Sequence, residues 1–294
     1  MSAEQPPSNQ CCVHGTALVV GPDLHIMATL RDVLSGWDIK SAANNAAAFI
    51  LLQAQACDLV ITAEQTSAKS DIELLRKLRL IRPHVRLIIL TNEGTPSDVI
   101  AAMREHAFSY FSMPLSLTAF STIVRLAAEG PTWDDGIEVL SATPNWIRLA
   151  VRCDTQTADR LLQFLHETAD LSDPEKEDVG VAFREILLNA IEHGGHFDPT
   201  QYAEISYLRA RHIVICRVKD PGEGFSLDEI VHAATANPPD DPVRHQAYRD
   251  ALGLRPGGFG VLLAKNLVDE LIYGEKGNDV LLIKYLTTAE REKV

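Results

Sequence analysis

Three polar residues spaced four apart, Glu185, Asn189 and His193, stand in the stretch "REILLNAIEHG". In a helix, this spacing places their side chains along one stripe. A carboxylate, an amide and an imidazole in line suit a general base, a metal ligand and a contact to phosphate. A solvated helix face is the alternative, and for this spacing taken alone it is the more common one.

A second group of residues ends an apolar strand in the stretch "DPGEGF". A carboxylate at a strand end, here Asp220, can accept a hydrogen bond from an exocyclic amine. Gly222 and Gly224 let the backbone approach a planar ligand closely, because they carry no side chain. A plain turn is the alternative, since this composition is typical of turns.

A third group is glycine-rich and precedes a predicted helix, in "RPGGFGVLLAKNL". Free backbone N–H groups at such a turn favour phosphate, so Gly257, Gly258 and Gly260 are candidate phosphate contacts. Arg255 stands directly before them and could meet the same phosphates. A single glycine-rich turn is a weak signal by itself.

The second half of the chain supplies the elements that would position these groups. Runs of strands with helices on one face predict an α+β sandwich. The predicted elements are a strand at 146–153, helices at 157–169 and 172–194, strands at 203–210 and 212–220, a helix at 260–271 and a strand at 280–286.

In this order and spacing, the three groups resemble the N, G1 and G2 boxes of the GHKL ATPase superfamily, over about residues 140–288. The segments "NAIEHG" and "RPGGFGVLLAKNLVDEL" look most like bacterial anti-sigma-factor serine kinases. The resemblance implies a Bergerat-type fold that binds ATP and Mg²⁺. It implies that Glu185 is the general base and that Asn189 ligates magnesium.

The same resemblance assigns roles at the nucleotide. It implies that Asp220 binds the adenine amine, that Gly222 and Gly224 line the adenine pocket, and that the three glycines at 257, 258 and 260 hold phosphates. His193 and Arg255 would complete the nucleotide contacts. The superfamily often has a threonine near the adenine in its last strand, and this chain departs from that pattern with Asp279 at roughly that place.

The first half of the chain alternates strands and helices from residue 16 to residue 128. Strands that are apolar throughout, separated by helices, predict a parallel sheet covered on both faces. Five such units predict a doubly wound α/β domain with a five-stranded parallel sheet. Their order and length resemble the receiver domain of response regulators.

The residues that carry phosphoryl chemistry in that family are replaced here. The acidic pair falls on Gly21 and Pro22, the phospho-acceptor on Ala63 and the lysine on Met113, while the hydroxyl residue is kept as Thr91. An aspartyl phosphate needs a carboxylate, a divalent metal and a cation. The first half is therefore predicted to be a pseudo-receiver, a docking or regulatory surface that takes no phosphoryl group.

The composition of the chain limits the classes of partner that it is expected to bind. The net charge of −13 argues against nucleic acid and anionic membrane, because both require neutralisation of phosphate. No apolar run approaches the roughly 20 residues that span a bilayer, and the N-terminus lacks a signal peptide. The five cysteines suit neither a zinc site nor a disulfide framework. We expect a cytoplasmic protein.

The sequence predicts a disordered tail at 1–14, the pseudo-receiver at 15–129, a linker at 130–145, the GHKL ATP-binding domain at 146–288 and a tail at 289–294. The leading hypothesis is an ATP- and magnesium-dependent serine/threonine protein kinase of anti-sigma type. It would phosphorylate or sequester a protein partner, which in this family is typically a STAS-type antagonist or a sigma factor. A homodimer is left open.

Two alternatives remain. One is an ATP-binding interaction module that sequesters its partner without turnover. The other, less favoured, is a histidine kinase. His166 stands only 19 residues before Glu185 (185 − 166), which leaves no room for a two-helix dimerisation hairpin.

Overall fold

A computed structural model of the chain describes residues 15–21, 23–63, 65–129, 135–224, 251 and 259–286. Residue contacts over these ranges divide the chain into two compact units, Met1–Gly94 with Ala107–Asp134 and Thr95–His106 with Asp135–Val294. The outer domain limits of the sequence analysis stay predictions. Within the described residues, no helix is long and apolar enough to cross a membrane.

The N-terminal elements form a parallel five-stranded sheet in the order β2-β1-β3-β4-β5, which confirms the predicted doubly wound class. The elements are β1 Thr16–Val20, α1 Leu24–Val33, β2 Asp38–Ala42, α2 Asn45–Ala54, β3 Leu59–Thr62, α3 Ala68–Ile81, β4 Arg86–Thr91, α4 Pro96–Arg104, β5 Ser109–Ser112 and α5 Leu117–Glu129.

Burial and capping explain why these segments adopt this structure. The central strands β3 and β4 are buried along their whole length, as expected where helices cover both faces of a sheet. Side chains of Asn44, Ser67 and Thr95 accept hydrogen bonds from the first turns of α2, α3 and α4. Each cap satisfies a backbone N–H that has no partner within its helix.

The receiver-like positions lie at the carboxyl ends of the strands. Gly21 has a φ of +65°, a left-handed conformation that glycine adopts at the lowest cost. Ala63 is fully buried, and Thr91 is 2% exposed. The Met113 N–H donates to the Thr91 carbonyl at 2.9 Å. Pro22 lies outside the described residues.

These replacements predict that the first half does not accept phosphate. Incubation of the full chain with acetyl phosphate and Mg²⁺ should add no acid-labile phosphate, as measured by intact mass. Ala63→Asp alone should not restore the reaction, because Gly21 supplies no metal ligand and Met113 no cation. An authentic receiver domain is the positive control, and stoichiometric labelling of residues 15–129 would contradict the prediction.

A buried acid lies close to the carboxyl end of β3. Asp71, in the first turns of α3, is fully buried. Its carboxylate accepts hydrogen bonds from the Asn45 amide at 2.8 Å and the Thr66 hydroxyl at 2.8 Å. Burial raises the pKa of the Asp71 carboxyl to about 6, and hydrogen bonds from its polar neighbours oppose that rise. The folded chain therefore holds this proton more tightly than the unfolded chain does.

Asp71 should make stability depend on pH. Because its folded pKa lies above the unfolded value, ionisation of the buried group should lower the free energy of unfolding as pH rises from about 4 to above 6. The penalty at pH 7 is on the order of 3 kcal/mol. Asp71→Asn should remove this dependence, as measured by urea unfolding at pH 4.5 and 7.5. Glu73→Gln, on the exposed face of the same helix, is the control; parallel pH profiles of Asp71→Asn and wild type would refute the assignment.

The C-terminal elements form an antiparallel six-stranded sheet in the order β10-β11-β9-β8-β7-β6. The elements are β6 Ile137–Thr143, β7 Trp146–Arg152, α6 Thr155–Thr168, α7 Asp173–Asn189, a π-helix Ala190–Gly194, β8 Tyr202–Ala210, β9 Ile213–Lys219, α8 Gly260–Leu267, β10 Glu270–Tyr273 and β11 Asp279–Tyr285.

Alternation along the strands separates the two faces of this second sheet. Every second residue of β7, β8 and β9 is buried, and these residues form one layer of the core. Phe164 of α6 and Phe183 of α7 are also buried, in the helix layer. The predicted α+β sandwich is confirmed.

Two elements differ from the sequence analysis. The predicted linker at 130–145 contains β6, whose alternation is interrupted by a bulge between Val139 and Ser141. The helix predicted at 260–271 ends at Leu267, because Val268 takes an extended conformation, and β10 begins at Glu270. A four-residue strand directly after a helix leaves little periodicity to detect.

Candidate functional site

Helix α7 carries the first two candidate residues. Its start is fixed by Ser172, whose N–H and hydroxyl both donate to the Glu175 carboxylate. Glu185 and Asn189 lie half-buried in the last two turns. An Arg184 nitrogen lies 3.7 Å from a Glu185 oxygen.

The end of this helix, predicted to run to residue 194, is a π-helix from Ala190 to Gly194. The Gly195 N–H donates to the Ala190 carbonyl at 2.8 Å, a five-residue step that defines a π-helix rather than an α-helix. His193 lies in this π-helix, and its place on one stripe with Glu185 and Asn189 stays a prediction. His193 is exposed, and its charge lowers the pKa of the nearby Asp220 carboxyl.

Two glycines after His193 let the helix end approach the sheet. A Cβ on Gly194 would overlap the Asp220 carboxylate, and one on Gly195 would overlap the Cys153 sulfur. Neither position tolerates a side chain without movement of its neighbour. The sequence analysis missed both roles, although the adjacent pair of glycines was a visible signal.

The loop after β9 is closely packed. The Asp220 carboxylate accepts a hydrogen bond from the Gly222 N–H at 2.8 Å. Gly224 has a φ of +90°, and a Cβ there would collide with the Lys276 carbonyl. Burial raises the pKa of the Asp220 carboxyl and the charge of Asp279 adds to the rise, while the Gly222 hydrogen bond and His193 oppose it.

Asn278 joins this loop to the turn between β10 and β11. Its backbone carbonyl accepts the Asp220 N–H at 3.0 Å, and its side-chain amide donates to the Gly222 carbonyl at 2.9 Å. The sequence analysis missed this residue, because an asparagine after a glycine is typical of any turn.

Asp279 is the first residue of β11, the last strand, as the sequence analysis placed it. It is paired in register with Lys219, on the face of the sheet opposite to the buried Val280. Its carboxylate accepts two hydrogen bonds from Arg217, at 2.8 and 2.5 Å. Asp279, which stands where the superfamily often has a threonine, is therefore ion-paired with Arg217 in this structure.

The start of α8 meets α7 at Glu185. A Cβ on Gly260 would lie 2.5 Å from a Glu185 carboxylate oxygen. The structure thus brings Gly260 to Glu185 and Gly194 to Asp220, with Asn189 on the helix between the two contacts. Arg255, Gly257 and Gly258 lie outside the described residues.

These residues stand at the ends of α7 and β9 in a two-layer α+β sandwich. A family model described as "Histidine kinase-like ATPase domain" matches residues 150–284. Serine-protein kinase RsbW of Oceanobacillus iheyensis is 30% identical over 116 residues, which cover 39% of this chain and 68% of that protein. The chain belongs to the histidine kinase-like ATPase family, through its C-terminal domain.

The N-terminal sheet has relatives of a different kind. DNA-binding transcriptional regulator NtrC of Rhizobium meliloti is 27% identical over 118 residues, or 40% of this chain. The chain spans only 24% of the length of that relative. A receiver domain structure from Clostridium thermocellum is 27% identical, covers 39% of this chain and 94% of that chain, and has a TM-score of 0.33. The N-terminal sheet has the strand order β2-β1-β3-β4-β5 of receiver-like doubly wound domains, and the chain joins this domain to a histidine kinase-like ATPase domain.

Proposed function

We propose that this chain is an ATP- and magnesium-dependent serine/threonine protein kinase of anti-sigma-factor type. It phosphorylates a protein partner and is regulated through a receiver-like domain that takes no phosphate. The proposed partner is a STAS-type antagonist, and a sigma factor is the proposed target of sequestration. Similarity to a relative named as a serine-protein kinase supports the reaction type.

The observation that carries the proposal is the contact of Glu185 with Gly260. Glu185 keeps 28% of its side chain exposed, enough to meet a substrate hydroxyl. The same carboxylate lies against the first residue of α8. The glycines before α8 are the proposed phosphate contacts, so the base and the transferred group would meet here.

In this arrangement, Glu185 and Asp220 act by holding the reacting groups in place. Glu185 accepts the proton of the attacking serine or threonine hydroxyl. Asp220 accepts a hydrogen bond from the adenine amine and so orients the nucleotide. Phosphoryl transfer depends on such positioning and on charge neutralisation more than on covalent chemistry of the protein.

The donor set fits magnesium. Mg²⁺ is commonly bound by one or two protein oxygens together with substrate phosphates. Asn189 offers an amide oxygen on the helix that carries Glu185. The described residues contain no group of three or more His, Cys, Asp and Glu side chains that could hold a metal, so nucleotide phosphates would complete the ligand set. When bound, the ion offsets phosphate charge.

One contact favours the alternative of a binding module without turnover. The Arg184 guanidinium lies 3.7 Å from Glu185, where it competes with a substrate hydroxyl for the carboxylate. Transfer of the γ-phosphoryl group from ATP to a STAS-domain protein, assayed with the full chain, tests the proposal. ATP binding without any transfer would favour the module.

The histidine kinase alternative gains nothing from the geometry. His166 lies on α6, within the helix layer that packs on α7. Its imidazole nitrogen is 3.9 Å from the Glu167 carboxylate.

A further inference from the structure

Lys284, near the end of β11, connects three elements of the ATPase domain. Its ammonium group donates to the Asp178 carboxylate of α7 at 3.0 Å and to the Leu267 carbonyl of α8 at 2.8 Å. Its side chain is 19% exposed, and it follows Val280 and Leu282 on the helix-facing side of the strand. A single charged group thus joins the strand to both helices.

The two helices run antiparallel along each other, with one contact at each end of α8. At its start, Gly260 lies against Glu185. At its end, Leu267 and Asp178 share Lys284. Seven residues separate the contacts on either helix, or roughly 10 Å at 1.5 Å per residue. The two contacts therefore match in spacing and together fix α8 along α7.

Further bonds hold the same end of α8. The Asp269 N–H donates to the Ile283 carbonyl at 2.9 Å, and the Tyr285 N–H donates to the Asp269 carboxylate at 2.6 Å. The helix is thereby attached to β11 at its carboxyl end. At its other end stands Gly260, a proposed phosphate contact.

The contacts of the Lys284 ammonium group suit a residue that positions α8. The last carbonyls of a helix lack partners within it and carry partial negative charge, so an ammonium group is favourable there. An ion pair that is partly exposed contributes little to stability, and Asp178 is 37% exposed. The consequence of the contact is the location of α8 rather than the stability of the fold.

We propose that Lys284 is a positioning residue for the nucleotide phosphates. It holds the carboxyl end of α8 to α7 and β11, and so fixes the distance between Glu185 and Gly260, a proposed phosphate contact at the start of α8. This inference rests on the proposed ATP site. Neither the nucleotide nor the substrate contacts Lys284 itself.

The test separates binding of the nucleotide phosphates from binding of the adenine. In Lys284→Met, affinity for ATP with Mg²⁺ should fall about tenfold, while affinity for adenosine, which depends on Asp220, stays at the wild-type value. Lys284→Arg keeps a cation with several donors and should restore most of the ATP affinity. Lys265→Met is the matched control, because Lys265 is an exposed lysine on α8, the helix that Lys284 contacts.

Calorimetry on the full chain measures the affinities for ATP and adenosine, and the melting temperature shows whether each variant folds. If Lys284→Met fails to fold, Asp178→Asn carries the same comparison, with a smaller loss in the same direction. Equal losses for ATP and adenosine, or no loss for ATP, would overturn the positioning role. Absence of ATP binding by the wild type would instead overturn the proposed function.

Discussion

Glu185→Gln is expected to abolish phosphoryl transfer to a serine or threonine acceptor while ATP binding survives. Glutamine keeps the size and the hydrogen-bonding capacity of the side chain but cannot accept the proton of the attacking hydroxyl. Removal of a general base typically lowers the rate by a factor of about 100 to 10,000. Transfer of radiolabelled phosphate from ATP to a STAS-domain protein, beside calorimetry with ATP, measures both effects.

Glu177→Gln is the matched control for this experiment. Glu177 is exposed on the same helix, two turns before Glu185, and its replacement should leave both transfer and binding unchanged. Undiminished transfer by Glu185→Gln would show that another group is the base. Binding without transfer in the wild type would identify the interaction module.

Gly194→Ala should weaken ATP binding by at least about tenfold. The added Cβ would occupy the space of the Asp220 carboxylate, so that Asp220 or the end of α7 must move. Because Asp220 is the proposed acceptor for the adenine amine, the displacement should appear in the dissociation constant for ATP. Equilibrium binding of ATP with Mg²⁺ to the full chain measures it.

Gly180→Ala makes the same substitution on α7 without the collision. A Cβ at Gly180 would meet no atom within 4 Å other than those of its own helix turns. Alanine is favoured over glycine within helices by about 0.5–1 kcal/mol. This control should therefore raise the melting temperature and leave ATP affinity intact. Wild-type affinity in Gly194→Ala would exclude Asp220 from the site.

Much of the fold follows from the sequence, because repeated patterns specify it. The buried runs of β3 and β4 and the helices between strands indicate a parallel sheet. The alternation of Ile147, Leu149 and Val151 indicates a strand with one buried face. Where the pattern is broken by the bulge in β6, or too short as in β10, the prediction failed.

The site was only partly predictable, for reasons of geometry. The spacing that brings Glu185 and Asn189 together is local and readable in a helix. The end of the helix is a π-helix, and there Gly194 and Gly195 approach Asp220 and Cys153 closely. Such approach is a tertiary requirement that a helical period does not encode.

The register of the last strand shows the same limit. Asp279 and Asn278 are adjacent in sequence, yet Asp279 pairs with Arg217 across the sheet and Asn278 bonds to the loop after β9. The ion pair of Asp279 with Arg217 joins residues 62 positions apart, so no local pattern could reveal it. The hydrogen bond from Asn278 to Gly222 is of the same kind, over 56 positions.

Calorimetry with ATP and Mg²⁺ on the full chain, wild type against Asp220→Asn, tests the central claim most directly. Wild type should bind ATP saturably. Asp220→Asn should lose at least about tenfold in affinity, because a half-buried charged acceptor for the adenine amine is replaced by a neutral amide. A wild-type chain that binds no ATP would contradict the account, as would an Asp220→Asn variant that binds as tightly as wild type.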